Sequence, residues 1–132
     1  MAGVTQTKDG RMIMTKEDKQ LLLADLCARL PYGVKVTFAG YSGREDCTLT
    51  VQHLNSTYNI EYLGMKPYLR PMSSMTEEEK DEYHSIQSDI WKPCGTQYYD
   101  NWHSIDWLNA HHFDFRNLIE KGLALEAPEG MY

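Results

Sequence analysis

PYGVKVTFAGYSGREDCTLTVQHLNSTYNIEY, residues 31–62, is the stretch whose reading decides the fold. Val34, Val36 and Phe38 alternate with Lys35 and Thr37. Cys47, Leu49 and Val51 alternate with Thr48, Thr50 and Gln52, and Tyr58, Ile60 and Tyr62 alternate with Asn59 and Glu61. Successive side chains of a strand point to opposite faces, so each run predicts a strand with one apolar face. Turn formers separate the runs, first Gly40, Ser42 and Gly43, then Asn55 and Ser56. Three strands so joined make an antiparallel meander.

A sheet this small cannot keep its apolar face dry alone, so something must cover it. The preceding segment supplies a candidate. Leu22, Leu23, Leu26 and Leu30 recur at helical spacing, Thr15 can cap the helix with Asp18 at its third position, and Pro31 stops it. Beyond the meander, Pro67 and Pro71 bracket Tyr68, Leu69 and Arg70, which predicts an extended connector or an edge rather than a central strand. A second helix begins near Ser74 or Thr76, where Glu77, Glu78 and Glu79 suit the positive end of the helix dipole, and runs to about Ile90. Its apolar stripe is narrow (Tyr83, Ile86, Ile90), so it packs at the periphery. Ser104 and Asp114 can cap two further short helices, Gly122 can end the second, and Leu123 and Leu125 can add a short strand. The fold class is α+β: an N-terminal helix on a small antiparallel sheet, a three-stranded meander or larger, with additional C-terminal helices. Residues 1–13 have no periodicity and read as a flexible tail, leaving 14–132 as one α+β domain.

Composition narrows the function. With 42% hydrophobic and 24% charged residues in 132, the chain resembles an ordinary globular domain with a single core. Its net charge of -6 and scattered 13 Lys and Arg residues oppose direct nucleic-acid binding. No apolar run approaches the ~18 residues that cross a bilayer, and the start lacks a signal-peptide pattern, so a cytoplasmic location is expected without a membrane partner. Three cysteines (Cys27, Cys47, Cys94) form no disulfide pattern; Cys27 and Cys47 read as core thiols.

Cys94, His103, His111, His112 and Asp114 are of metal-ligating type, but no CxxC, HxxxH or HExxH spacing joins them, and adjacent His111 and His112 point about 100 degrees apart on a helix. Nucleophilic catalysis by Cys94, with a histidine base and Asp106 or Asp114 behind it, has the residue types without a nucleophile motif. No cofactor signature such as a phosphate-cradling glycine loop occurs. The acidic run Glu77 to Glu82 is best explained as a solvated helix start that can also dock a basic partner. The stretch Trp91 to Trp107 is rich in aromatics. Trp107 suits the core, whereas Tyr98, Tyr99 and Trp102, beside Gln97, Asp100 and Asn101, suit an exposed platform for another protein.

KPYLRPMSSMTEEE (66–79), SIDWLNAHHFDFRNLIEKGLALEAPEGMY (104–132) and TKEDKQLLLADLCARLPYGVKV (15–36) resemble a family of short uncharacterised proteins from gut Bacteroides-type bacteria and their phages or mobile elements. The resemblance covers most of the chain from Met14 onward and transfers no catalytic or binding residues. It implies a cytoplasmic accessory protein acting on host or phage components.

The expectation is therefore a non-enzymatic protein-binding module using Tyr98, Tyr99 and Trp102. Its alternative is a small enzyme or ligand- or metal-binding protein using Cys94, His103, His111 and His112. Open sheet edges also allow two copies to pair about a twofold axis.

Overall fold

A computed structural model describes residues 4–6, 12–39, 46–91 and 102–132. The architecture is α+β. Two short strands, β1 (Val4–Gln6) and β2 (Met12–Met14), pair antiparallel, so strand structure occupies part of the segment expected to be a tail. Helix α1 (Lys16–Arg29) follows, and the Thr15 hydroxyl accepts the Asp18 amide at 3.0 Å, the expected cap. Leu22 and Leu26 are fully buried, while Leu23 and Leu30 are half-buried. Pro31 sits in a 3-10 turn, Leu30–Tyr32, and Gly33 ends it at φ 69, a backbone conformation that costs glycine nothing.

The main sheet has four strands in the order β4-β3-β5-β6: β3 is Lys35–Phe38, β4 Cys47–Thr48, β5 Met65–Leu69 and β6 Leu125–Glu126. Strand β3 runs antiparallel to both β4 and β5, but β6 is parallel to β5, so the sheet is mixed rather than a meander. Val34, Val36, Phe38, Leu49, Met65 and Leu69 form the main core with Leu22 and Leu26 from α1 and Leu118 and Leu123 from the last segment.

Several sequence readings are overturned. The Cys47 run keeps its pairing only as far as the Leu49 amide, which donates to the Val34 carbonyl; Thr50 then caps a 3-10 helix, Val51–Leu54, and the His53 ring accepts the Thr50 amide at 2.9 Å. The predicted third strand is instead a helix, α2 (Tyr58–Glu61). Of Tyr58, Ile60 and Tyr62 only Ile60 is buried, and Tyr58 and Tyr62, four apart, stack at 5.1 Å on the outside. The third pairing partner is β5, which was expected to be a connector or an edge.

Pro67 is tolerated there because of which way it faces. The Leu69 carbonyl accepts from Ala127 on the β6 side, so Pro67, two residues earlier, turns its nitrogen to the same side. The β6 ladder begins only at Tyr68, so the missing N–H leaves no strand unpaired.

Helices α3 (Glu77–Trp91) and α4 (Trp102–Ala110) pack together around a second cluster of Met75, Trp107, Leu108 and Phe113, flanked by Tyr83 and Ile86. Trp107 donates its indole N–H to Glu82 at 2.7 Å. Helix α4 opens at Trp102, so Ser104 lies inside it and is buried rather than capping it. Asp114 does accept two amides, those of Leu118 (2.7 Å) and Ile119 (2.9 Å), but the chain beyond it forms successive turns, with Asn117 at φ 64, instead of a helix. Cys27 is exposed, not a core thiol, because α1 turns Asp25, Leu26 and Arg29 inward; Cys47 is half-buried.

Asp25 and Arg29, one turn apart, are both fully buried and joined at 2.9 Å, and Arg116 reaches the other Asp25 oxygen at 2.6 Å. Removing one member of a buried pair strands the other charge. Asp25→Ala is expected to cost ~3–5 kcal/mol in urea unfolding. Lys19→Ala, which breaks the partly exposed pair with Glu61, is expected to cost under about 1 kcal/mol. Equal losses would show that burial does not set the difference.

Candidate functional site

The sheet ends in an unusual junction. On the β3-facing side of β5, the Tyr68 carbonyl accepts the Tyr132 hydroxyl at 2.8 Å, and the same hydroxyl accepts the Lys35 amide at 2.8 Å. Val36 pairs with Pro67, so Lys35 and Tyr68 are the next positions of that ladder, and a phenol bridges them. One step further, the Arg70 amide donates to His112 and its carbonyl accepts from Asp114, so segment 112–114 takes over where β3 ends.

Two arginines hold that segment. From the interior, Arg29 Nη2 donates to the Phe113 carbonyl at 2.6 Å. From the other side, the Arg70 guanidinium lies 4.2 Å from the centre of the Phe113 ring and grips both Glu79 oxygens at 2.7 and 2.8 Å. Glu79 in turn accepts the Thr76 amide, and the Thr76 hydroxyl accepts the Glu79 amide, a reciprocal cap that fixes the start of α3. The Arg70 guanidinium, with the Thr76 amide, holds the Glu79 carboxyl down at about 2.

His112 occupies the left-handed region at φ 64, and its ring stacks on Tyr132 at 3.7 Å. Burial, with the nearby charges of Arg29, His111 and Arg70, pushes its pKa down to about 4, so the ring is neutral at pH 7. Its Nδ1 and the Arg29 Nη1 are buried and find no hydrogen-bond partner among the described residues.

Where β5 and β6 end, the two chains diverge around an open groove of about 670 Å³. One wall runs from Arg70 through Thr76 to Glu79, the other from Glu126 to Gly130, with Tyr132 at the inner end. Glu78, Glu126 and Glu129 are exposed and have no ion-pair partner among the described residues, whereas Arg70 is committed to Glu79.

The expected metal ligands do not gather. His103 is exposed near the start of α4, about 12 Å along the helix axis from His111. His111 stacks on Trp107 at 4.0 Å, and His112 faces Tyr132. Among the described residues no three His, Cys, Asp or Glu side chains are placed to share an ion. Cys94, Tyr98 and Tyr99 lie outside the described residues, and Trp102 is placed only as the first residue of α4. Among the described residues, no helix is long and apolar enough to cross a membrane.

Sequence reasoning missed Arg29, Arg70, Glu126, Glu129 and Tyr132 as site-forming residues. The Asp25–Arg29 spacing and the Thr76–Glu79 capping box were readable signals; the meeting of Tyr132 with Lys35 and Tyr68 is long-range and left none. No protein-family model, curated protein or solved structure matches the chain.

Two outcomes follow from the junction. The unfolded chain protonates His112 near 6.5 while the folded one resists until about 4. Stability is therefore expected to fall as pH drops through that window, by on the order of 1–2 kcal/mol. His112→Asn, which suits positive φ and does not titrate there, should flatten the fall in urea midpoint; an unchanged slope would assign it to other groups. Tyr132→Phe keeps the stack but removes the bridge between Lys35 and Tyr68, and should cost about 1 kcal/mol. Amide exchange at Lys35 should quicken in that variant.

Proposed function

We propose that this chain is a non-enzymatic accessory module that acts in the cytoplasm by binding another protein, a component of the host or of the phage or mobile element that carries it. The observation that carries the reading is the stacked Tyr58–Tyr62 pair. Tyr58 is 55% exposed and Tyr62 44%, while Ile60 between them is buried at 2%. Helix α2 is thus oriented to hide an isoleucine and to keep two large rings in water. Tyrosine at a protein interface buries large area at low entropic cost and keeps a hydroxyl for a rim hydrogen bond.

Val51, in the 3-10 turn before α2, is a further large apolar side chain left in water. Tyr98, Tyr99 and Trp102, which precede the body of α4 in the sequence, are side chains of the same chemistry. A net charge of -6 favours a partner whose docking face carries Lys or Arg, since opposite fields speed encounter and reject acidic competitors.

Chemical cross-linking in host lysate tests this. The wild type should capture a specific protein, and Tyr99→Ala with Trp102→Ala, or Tyr58→Ala with Tyr62→Ala, should reduce its recovery at least tenfold. Full recovery with both pairs replaced would reject the aromatic reading. One equivalent of zinc in the purified protein would overturn the non-enzymatic reading.

A further inference from the structure

Building on the reading of this chain as a protein-binding module, we infer that the groove between Arg70–Glu79 and Glu126–Tyr132 receives an extended basic segment of the partner, one that sets a Lys or Arg beside an apolar residue.

Charge is the first argument. The groove's own cation, Arg70, spends both arms of its guanidinium on Glu79 and lays its face on the Phe113 ring. That pairing removes Arg70 as a receptor for anions. Glu78 on one wall and Glu126 and Glu129 on the other remain exposed, with no ion-pair partner among the described residues. A cation between the walls meets uncompensated carboxylates from both sides, whereas a phosphate backbone or an acidic peptide is repelled.

Apolar surface is the second. Pro71, Pro128 and Tyr132, a residue 40% exposed, line the same groove, and Met72 beside Pro71 is exposed. Such a lining suits the aliphatic stem of Lys or Arg, whose head then reaches the carboxylates, and a guanidinium can lie on the tyrosine face. A small hydrated cation gains nothing from these groups.

The third is rigidity. The α3 wall is fixed by the Thr76–Glu79 cap and by Arg70. The other wall is fixed by β6, by the Ala127 amide on Leu69, by the Met131 amide on Pro128 and by the Tyr132 hydroxyl. A groove held on both sides loses little freedom when it is filled.

The probe is a ten-residue synthetic peptide alternating Lys with Val, compared with its Glu–Val counterpart, titrated against the 15N-labelled full chain. The Lys peptide should shift amides of residues 70–79 and 126–132, and the Glu peptide should not. Raising salt from about 50 to about 500 mM should weaken binding several-fold. Glu126→Lys with Glu129→Lys, both at exposed positions, should weaken it at least tenfold while leaving the urea midpoint unchanged. Shifts confined to residues outside the groove, equal binding of both peptides, or undiminished binding in the Lys variant would overturn the inference. Capture of the cross-linked partner separates the two readings. If the Lys variant captures it as fully as the wild type, the groove assignment fails and the binding module stands; if the wild type captures none, the module reading fails.

Discussion

The fold depends on a guanidinium that never meets water. Arg29 is wholly buried, yet it joins the first helix to a carbonyl 84 residues later, that of Phe113. A buried cation is tolerated when its charge is paired and directed hydrogen bonds hold it, here through Nε and Nη2 of Arg29. Asp25 supplies the charge one helical turn away and Phe113 supplies an acceptor, so α1 and segment 112–114 are bound to a single relative position. Apolar packing alone would let a leucine face slide over a sheet. A buried ion pair with directional partners does not.

That position has consequences outward. Because segment 112–114 is fixed from inside by Arg29, Arg70 can use the outer face of Phe113 as a platform and hold Glu79 there. Glu79 is also the third residue of α3, so the same carboxylate that pairs with Arg70 ends the strand and starts the helix. The chain passing through Glu126 to Tyr132 is set by the same junction, since Tyr132 lies on His112 and plugs the ladder between Lys35 and Tyr68. Both walls of the groove are thus extensions of one clamped point.

How much of this was legible depended on range. The Thr15 cap, the leucine face of α1, strand β3 and the acidic start of α3 are local, and each was readable from spacing. Tyr58, Ile60 and Tyr62 misled because alternation over three positions fits a helical turn as well when two of the residues are tyrosines, whose hydroxyl ends bear exposure. Pro67 misled because the rule against proline in an inner strand assumes partners on both sides of the proline itself. Here the fourth strand begins one residue later. The parallel β6 and the clamp at Phe113 rest on contacts between distant segments, for which a single sequence carries no periodic signal.

The division of charge separates the residues that hold the fold from those left exposed along the groove. The charges of the clamp are spent on one another: Asp25 serves Arg29 and Arg116, and Arg70 serves Glu79. Its exposed groove carboxylates belong to no internal pair among the described residues, so altering them changes the field at the groove without touching the clamp. Changes to the charge of the groove surface and changes to the clamp therefore fall on different residues. A sequence that reads as mildly acidic overall thus carries, in three dimensions, paired charges at the clamp and exposed carboxylates along the groove.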